Sequence, residues 1–487
     1  MYVLTILGLR RLLILILVTV FIIYYLHAAQ NQPAHKTKNS NLVLRSFLSH
    51  EEEGCLGGGK SVYLVSYKNC YKTIEEAIKV LSKHNSDEKN LIKLLKSKYE
   101  IFKTIKLDRD VVFLGLEGSR TTIIANFKAE EEILSKSSIG DTIFYAPLNR
   151  QKIVFKNLIF TSKRKAGVGI LRTDGNYVNE YNITDPCKGS DEDCAINALE
   201  LYNIEVYSIS SNRIGSAFFV YRSRKVYFGA KCFFHQNSFI GYDDSLPSPK
   251  NRETYGKAGG AVLSIIRVLR SDSVYIDGLF RQNYATYHSL NNPPHGNGGA
   301  IFIYQTEGKV VINGKFFENS ANQGGAVFVN ICKGSLLFDG VYKKNKAFFG
   351  HRKKELGTGG CLRVQNLKAG CLLNLKGRYE ENFADKRGGV IATNAHEDFS
   401  YFILNADIHR NRAAAGAVWG SWSEGGSLKG IFIVNEASRI SGNVATTRGS
   451  FCSIRRKKLG LDFFLDKNFQ DSKVVVKLPD FSNLTNL

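Results

Sequence analysis

Along most of the chain, apolar residues alternate with polar ones in short runs. They begin near Ile105 and continue through VVFLGL, TTIIA and KIVFKNLIF. This alternation predicts strands with one buried side. Residues 73–103 break the pattern and predict a helical segment. Thr73-x-x-Glu76 has capping-box spacing, and Ile74, Ala77, Ile78 and Leu81 share one helical face. Leu91 to Tyr99, LIKLLKSKY, reads as a second helix with its lysines in solvent. Near the N-terminus, Leu12 to Leu26 is an uncharged apolar run behind Arg10 and Arg11. It is short for a membrane span, which takes roughly 17–25 residues. His27 to Ala29, or the MYVLTILGL before the arginines, would lengthen it. The preferred expectation is an uncleaved signal anchor of a single-pass type II membrane protein, with the bulk of the chain in the secretory lumen or outside the cell. The alternative is a secreted protein after signal-peptide cleavage.

A repeat overlies the strand pattern. One element is an aromatic residue or Ile, two residues, then Asn: FHQN at Phe234, FRQN at Phe280, FFEN at Phe316, YKKN at Tyr342, YEEN at Tyr379, IHRN at Ile408 and ISGN at Ile440. The other is a small pair opening a strand: GGAVLS at Gly259, GGAIFI at Gly298, GGAVFV at Gly324, GGCLRV at Gly359, GGVIAT at Gly388, AGAVWG at Ala415 and RGSFCS at Arg448. Repeat length varies while the elements persist, as in a β-solenoid whose insertions bulge from its coils. Stacked coils align like residues in ladders about 4.8 Å apart. The aromatic or Ile should then fill the interior, the Asn should sit left-handed at a turn, and Gly-Gly should allow a close corner. Some 12–14 coils stacked this way would span about 60 Å. The expected organisation is an anchor at 1–29, a linker at 30–60, an N-terminal cap with helices at 61–104, a parallel β-helix at 105–456 and a C-terminal cap or tail at 457–487.

Composition adds a bias in charge. The 66 basic and 44 acidic residues give +22. Residues 256–460 hold 28 basic and 14 acidic residues, or +14, whereas 166–255 hold 9 and 11, or −2. The excess favours anionic partners and does not bear on the fold. Arg352-Lys353-Lys354 and Arg455-Arg456-Lys457-Lys458 are the candidate anion-binding clusters. They suit an acidic polysaccharide, an anionic membrane surface or a cell-surface partner. Nucleic acid is not expected outside the cytosol.

All nine cysteines follow residue 54. Cys187 and Cys194 bracket the acidic loop CKGSDEDC and are one candidate disulfide, and Cys55 with Cys70 is another. Cys332, Cys361, Cys371 and Cys452 fall in strand-like runs and read as buried small residues. No Cys or His spacing suggests zinc, and neither metal nor cofactor is expected. Asn182 and Asn483 open glycosylation sequons. Trp419 and Trp422 offer either a sugar-stacking platform or core packing.

The combined FxxN and GGA-I/V/L repeats, over about 232–453, resemble those of the chlamydial polymorphic outer membrane proteins. TIEEAI followed by VVFLGLEGSRTTII is similar to the start of pectin-lyase-like chains. The resemblance implies an all-β fold, a right-handed parallel β-helix, and an adhesive role. Those bacterial proteins end in a large outer-membrane β-barrel, for which this chain shows no series of amphipathic strands. Enzymes of the superfamily act on acidic polysaccharides through clustered carboxylates or a basic residue on one face. The weak catalytic candidates here are Asp243, Asp244 and His295, all in long insertions. Asp191, Glu192 and Asp193 read as solvated loop acids. The expected function is therefore non-catalytic surface recognition. A diverged polysaccharide lyase or hydrolase is the alternative, and a purely structural rod is a third.

Overall fold

A computed structural model describes residues 49–83, 90–127, 142–147, 151–163, 168–173, 195–211, 217–241, 259–287, 296–348, 357–397, 400–423, 431–434, 438–448, 451–456, 461–465 and 474–477. The chain divides into two compact units, Met1–Gly59 and Lys60–Leu487. In the first, helix α1 (His50–Gly57) is closed at its start by a capping box between Ser49 and Glu52. The anchor expected at 1–29 lies outside the described residues. Among those described, no helix is long and apolar enough to cross a membrane.

The second unit is a parallel β-helix. It opens with an antiparallel hairpin, Val62–Leu64 against Asn69–Tyr71. Helix α2 (Ile74–Lys83) packs on this hairpin. Its Ile74, Ala77, Ile78 and Leu81 are buried on the expected face. Thr73 Oγ1 accepts from the Glu76 N–H at 3.2 Å, but the Glu76 carboxylate reaches back to the N–H of Lys72, one residue before the cap. The expected second helix is not formed. Leu91–Leu94 and Lys98–Ile101 are strands of the first coil, with Ile92, Leu94, Tyr99 and Ile101 buried. A short apolar run fits both periods, and tertiary pairing with the strands at Val111–Leu114 and Thr121–Ala125 decides between them.

Each full coil has three faces. The wide face carries two strand segments with a bend between them, for example Lys309–Ile312 and Lys315–Phe317. The narrow face follows, at Ser320–Ala321. The middle face comes next, at Val327–Cys332, and leads into the following coil. Parallel pairing continues from coil to coil on all three faces. Eleven levels of the wide face are described, from Leu91–Ile101 to Ile431–Ser441. The expected count of 12–14 is too high because coil length varies widely. The ladder Asn recurs after 26 residues between Asn319 and Asn345, but after 46 between Asn237 and Asn283. On the last level, two antiparallel strands from the tail complete the pairing: Val474–Lys477 against Ile431–Val434, and Leu461–Leu465 against Cys452–Arg456.

The repeat residues occupy the interior. Phe234, Phe280, Phe316, Tyr342 and Tyr379 stack with ring centroids 4.7, 4.6, 4.9 and 4.8 Å apart, and Ile408 and Ile440 extend the column. Beside it runs an unbroken amide ladder from Asn237 through Asn283, Asn319, Asn345, Asn382 and Asn411 to Asn443. Each Nδ2 donates to the next Oδ1 at 2.9–3.0 Å. The ladder asparagines are not the left-handed residues expected from the sequence. That conformation belongs to the residue before each of them, such as Gln236, Lys344 and Arg410, with φ of 54–57°. The side-chain amide ties the turn together from its far end.

The small-pair element also shifts. Register pairs Leu263 with Ile301 and Ile391 with Trp419. Gly260-Ala261 and Gly416-Ala417 are therefore equivalent to Gly298-Gly299, Gly324-Gly325, Gly359-Gly360 and Gly388-Gly389, so the first and sixth copies start one residue later than their sequence motif suggests. Gly324 has φ +60°, and a Cβ on Gly325 would lie 2.1 Å from the Gly360 carbonyl oxygen, so the corner requires both.

Two of the four cysteines read as buried small residues form a disulfide, Cys332–Cys371. The coil register sets Cys332 beside Leu367, and a tight turn from Lys368 returns Cys371 to it. Cys361 and Cys452 are free and buried, and burial pushes both thiols well above their ordinary range. The bond spans 39 residues of sequence. Replacing both cysteines by Ala should lower stability by about 3–4 kcal/mol on the chain-entropy scale, measured by urea unfolding under oxidising conditions. A change below about 1 kcal/mol would show that the staple contributes little.

Candidate functional site

Much of the outer side of the wide face carries matched charges. Glu100 accepts from Lys163 at 2.8 Å and Asn126 at 2.8 Å and pairs with Lys98 at 3.2 Å, which holds its carboxyl down to about 2. Glu200 lies between Lys225 at 2.9 Å and Lys152 at 3.4 Å and accepts from the Tyr202 hydroxyl. Glu380 meets Lys343 at 3.1 Å, Arg378, and Arg410 at 3.8 Å. Burial pushes the Glu200 and Glu380 carboxyls up, but the cations and donors around them outweigh it and leave both below the ordinary range. Burial and the bond to Glu200 push the Tyr202 phenol up to about 12. Glu205 is shared between Arg120 and His235, and the His235 ring stacks on Phe233 and Tyr207. The Glu100, Glu200 and Glu380 carboxyls are thus held below the ordinary range, whereas a general acid needs a carboxyl raised towards neutrality.

The narrow face is different. Its strands present the residue between the ladder Asn and the following Ala: Ser238, Tyr284, Ser320, Lys346, Phe383, Arg412 and Val444 in register. Phe239, Ala285, Ala321, Ala347, Ala384 and Ala413 point inward beside them. Lys346 and Arg412 are exposed, one level either side of the half-buried Phe383. The Lys346 ammonium lies 5.3 Å from the Phe383 ring centroid. No described carboxylate pairs with either cation. Val444, 48% exposed, ends the row. The motif aromatic-x-x-Asn-x-Ala carries this row in its third variable position, between the Asn and the Ala, where no single residue type marks it.

The insertions holding several sequence candidates leave from this same edge. Asp243 and Asp244 fall between Gly241 and Gly259, His295 between Tyr287 and Gly296, and Arg352, Lys353 and Lys354 between Phe348 and Gly357. The flanking residues all lie at the corner between the narrow and middle faces. These candidates, with Asn182, Asn483, Cys187, Cys194, Lys457 and Lys458, lie outside the described residues, and so do Asp191, Glu192 and Asp193. Arg455 and Arg456 are in strand Cys452–Arg456, opposite Asp462 and Leu461. Cys55 and Cys70 are both disulfide-bonded. Trp419 is core rather than platform: it is buried, meets Phe402 edge-on, and donates to Thr393 Oγ1 at 3.0 Å.

The outward row of the middle face is closed to solvent. Arg172, Phe219, Ser264, Phe302, Phe328, Arg363 and Ala392 succeed one another there, and all are buried. Among the described residues, no group of three His, Cys, Asp or Glu is placed to hold a metal ion. Comparison with models of protein families, with curated proteins and with solved structures finds no match for the chain.

Proposed function

We propose that this β-helix is a non-catalytic recognition protein that binds anionic polysaccharide or an anionic cell surface through its narrow face. The observation that carries the reading is the row Lys346–Phe383–Arg412. It leaves two cations unpaired, while the glutamates of the wide face are taken up by bases. Cations repeated at a coil step or its multiple, with an aromatic ring between them, suit a linear ligand carrying regularly spaced acids. Arg352, Lys353 and Lys354 follow Lys346 by six to eight residues in sequence, which adds to the basic excess near it. The repeat's resemblance to the chlamydial adhesins supports the same role. Disulfide bonding at Cys332, Cys371, Cys55 and Cys70 supports an oxidising compartment, in line with a membrane-anchored or secreted protein.

The test is retention on immobilised heparin and polyuronate. Lys346→Glu with Arg412→Glu should shift elution to clearly lower salt, because exposed charge pairs are screened within about 10 Å at 0.1 M. Neutralising Lys353, Lys354, Arg455 and Arg456 as a second set should weaken retention further. Unchanged elution of the Lys346/Arg412 variant would reject the narrow face as the site.

A further inference from the structure

The bend of the wide face forms a groove of about 480 Å³ that none of the preceding sites uses. Its floor is the glycine column Gly340 and Gly377, which Gly314 precedes and the buried Ala406 follows. A Cβ on Gly377 would lie 2.2 Å from the Gly340 carbonyl oxygen, so the coils meet here backbone to backbone. Asn313, Asp339 and Asn405 line one side at equivalent positions of their coils, with Lys376 at that position on the level between Asp339 and Asn405. Lys315, Val341, Arg378 and Asp407 line the other. The lining comes from four consecutive levels, a span of about 14 Å at one strand spacing per level.

Arg378 is engaged by Glu380, but no described side chain pairs with Lys315, Asp339, Asp407, Asn313 or Asn405. The groove thus offers two free carboxylates, two amides and one ammonium group. A polyuronate would bring its carboxylates against Asp339 and Asp407, which repel them. Vicinal hydroxyls fit better, because a carboxylate accepts from two at once and an amide both donates and accepts. Val341 and the glycine backbone leave a flat surface for the apolar side of a sugar ring. One pyranose residue of an extended β-linked chain spans nearly one coil step, so successive sugars would meet successive levels.

We propose that this groove binds a neutral, hydroxyl-rich β-linked glycan running along the helix axis, about three residues at a time. The site is separate from the narrow face and takes a ligand of different charge.

The probes are cellohexaose, mannohexaose and xylohexaose, with hexagalacturonate as the anionic counterpart, titrated calorimetrically into the folded protein. At least one neutral probe should bind in the millimolar range or tighter, roughly tenfold better than hexagalacturonate, and with little response to salt. Asp339→Ala with Asp407→Ala should weaken that binding by roughly tenfold or more. Asp339→Asn with Asp407→Asn, which keeps the side-chain shape, should give a smaller loss. Lys346→Glu with Arg412→Glu should leave it unchanged, which separates this site from the narrow-face reading. The proposal is overturned if no neutral probe binds, if hexagalacturonate binds better, or if the double Ala variant, folded by circular dichroism, binds as the parent does.

Discussion

Asn345→Ala should lower the unfolding free energy by about 4 kcal/mol or more, among the largest effects of any single substitution in this protein. The Asn345 side chain lies in the middle of the amide ladder and takes part in four hydrogen bonds. Its Oδ1 accepts from the backbone N–H of Asn319 at 3.1 Å and from Asn319 Nδ2 at 3.0 Å. Its Nδ2 donates to the Phe316 carbonyl at 2.9 Å and to Asn382 Oδ1 at 2.9 Å. All four are buried. Each intact bond contributes about 1 kcal/mol net, and each buried donor left without a partner costs about 1–3 kcal/mol. Alanine strands the Asn319 N–H and leaves Asn319 Nδ2 and the Phe316 carbonyl one bond short. Asn345→Asp should be no better: it keeps the acceptor but sets a carboxylate against Phe316 O and Asn382 Oδ1. Asn443→Ala is the control at the ladder's end, because Asn443 is only half-buried and has no described ladder Asn beyond it. It should cost about 1–2 kcal/mol. Urea unfolding measures all three, and equal losses at Asn345 and Asn443 would refute a cooperative interior ladder.

The ladder is also the part of the fold most legible in the sequence. A side chain that stacks on its own copy must recur, so the aromatic and Asn positions announce the coil. The φ > 0 requirement could not be read the same way. It is met by Gln236, Gln282, Glu318, Lys344, Glu381, Arg410 and Gly442, of which only the glycine is a residue type that favours it. Backbone conformation there is imposed by the Asn that follows. Leu91 to Tyr99 was ambiguous because its leucines satisfy a helical spacing while Ile92, Leu94, Tyr99 and Ile101 satisfy a strand spacing. Only pairing to the next coil separates the two. The Cys332–Cys371 bond is set by coil stacking rather than by any local motif. The candidate site was half-legible. Charge counting located the basic excess, but Lys346, Phe383 and Arg412 lie far apart in sequence and become neighbours only through the register of the narrow face. The groove was not legible at all, since it depends on where the wide face bends.

Asp272→Ala should cost about 3–5 kcal/mol, through a buried ion pair that no sequence pattern marks. Arg222 ends the middle-face segment of its coil, and Asp272 sits in the turn of the next coil between the middle and wide faces. Their side chains are 4% and 0% exposed, and Arg222 Nε lies 3.2 Å from Asp272 Oδ2. That oxygen also accepts from the Leu269 N–H at 2.9 Å, and Oδ1 accepts from Ser271 Oγ at 3.3 Å. The carboxylate is therefore well satisfied, while Arg222 Nη1 is buried with no hydrogen-bond partner. Arg222 is also the register partner of Arg267, so Asp272 offsets charge at a corner where two arginines stack. Removing it leaves a desolvated guanidinium with no counter-charge and a turn with one fewer acceptor. Burying a charge without a partner costs far more than the intact pair contributes. The double variant Arg222→Met with Asp272→Ala should therefore be more stable than Asp272→Ala alone, recovering roughly half of the loss, because the charge is gone while the turn still lacks its acceptor. Thermal and urea unfolding of the parent, both single variants and the double variant complete the cycle. A loss below about 1 kcal/mol for Asp272→Ala, or no recovery in the double variant, would show that the pair is not what holds this corner.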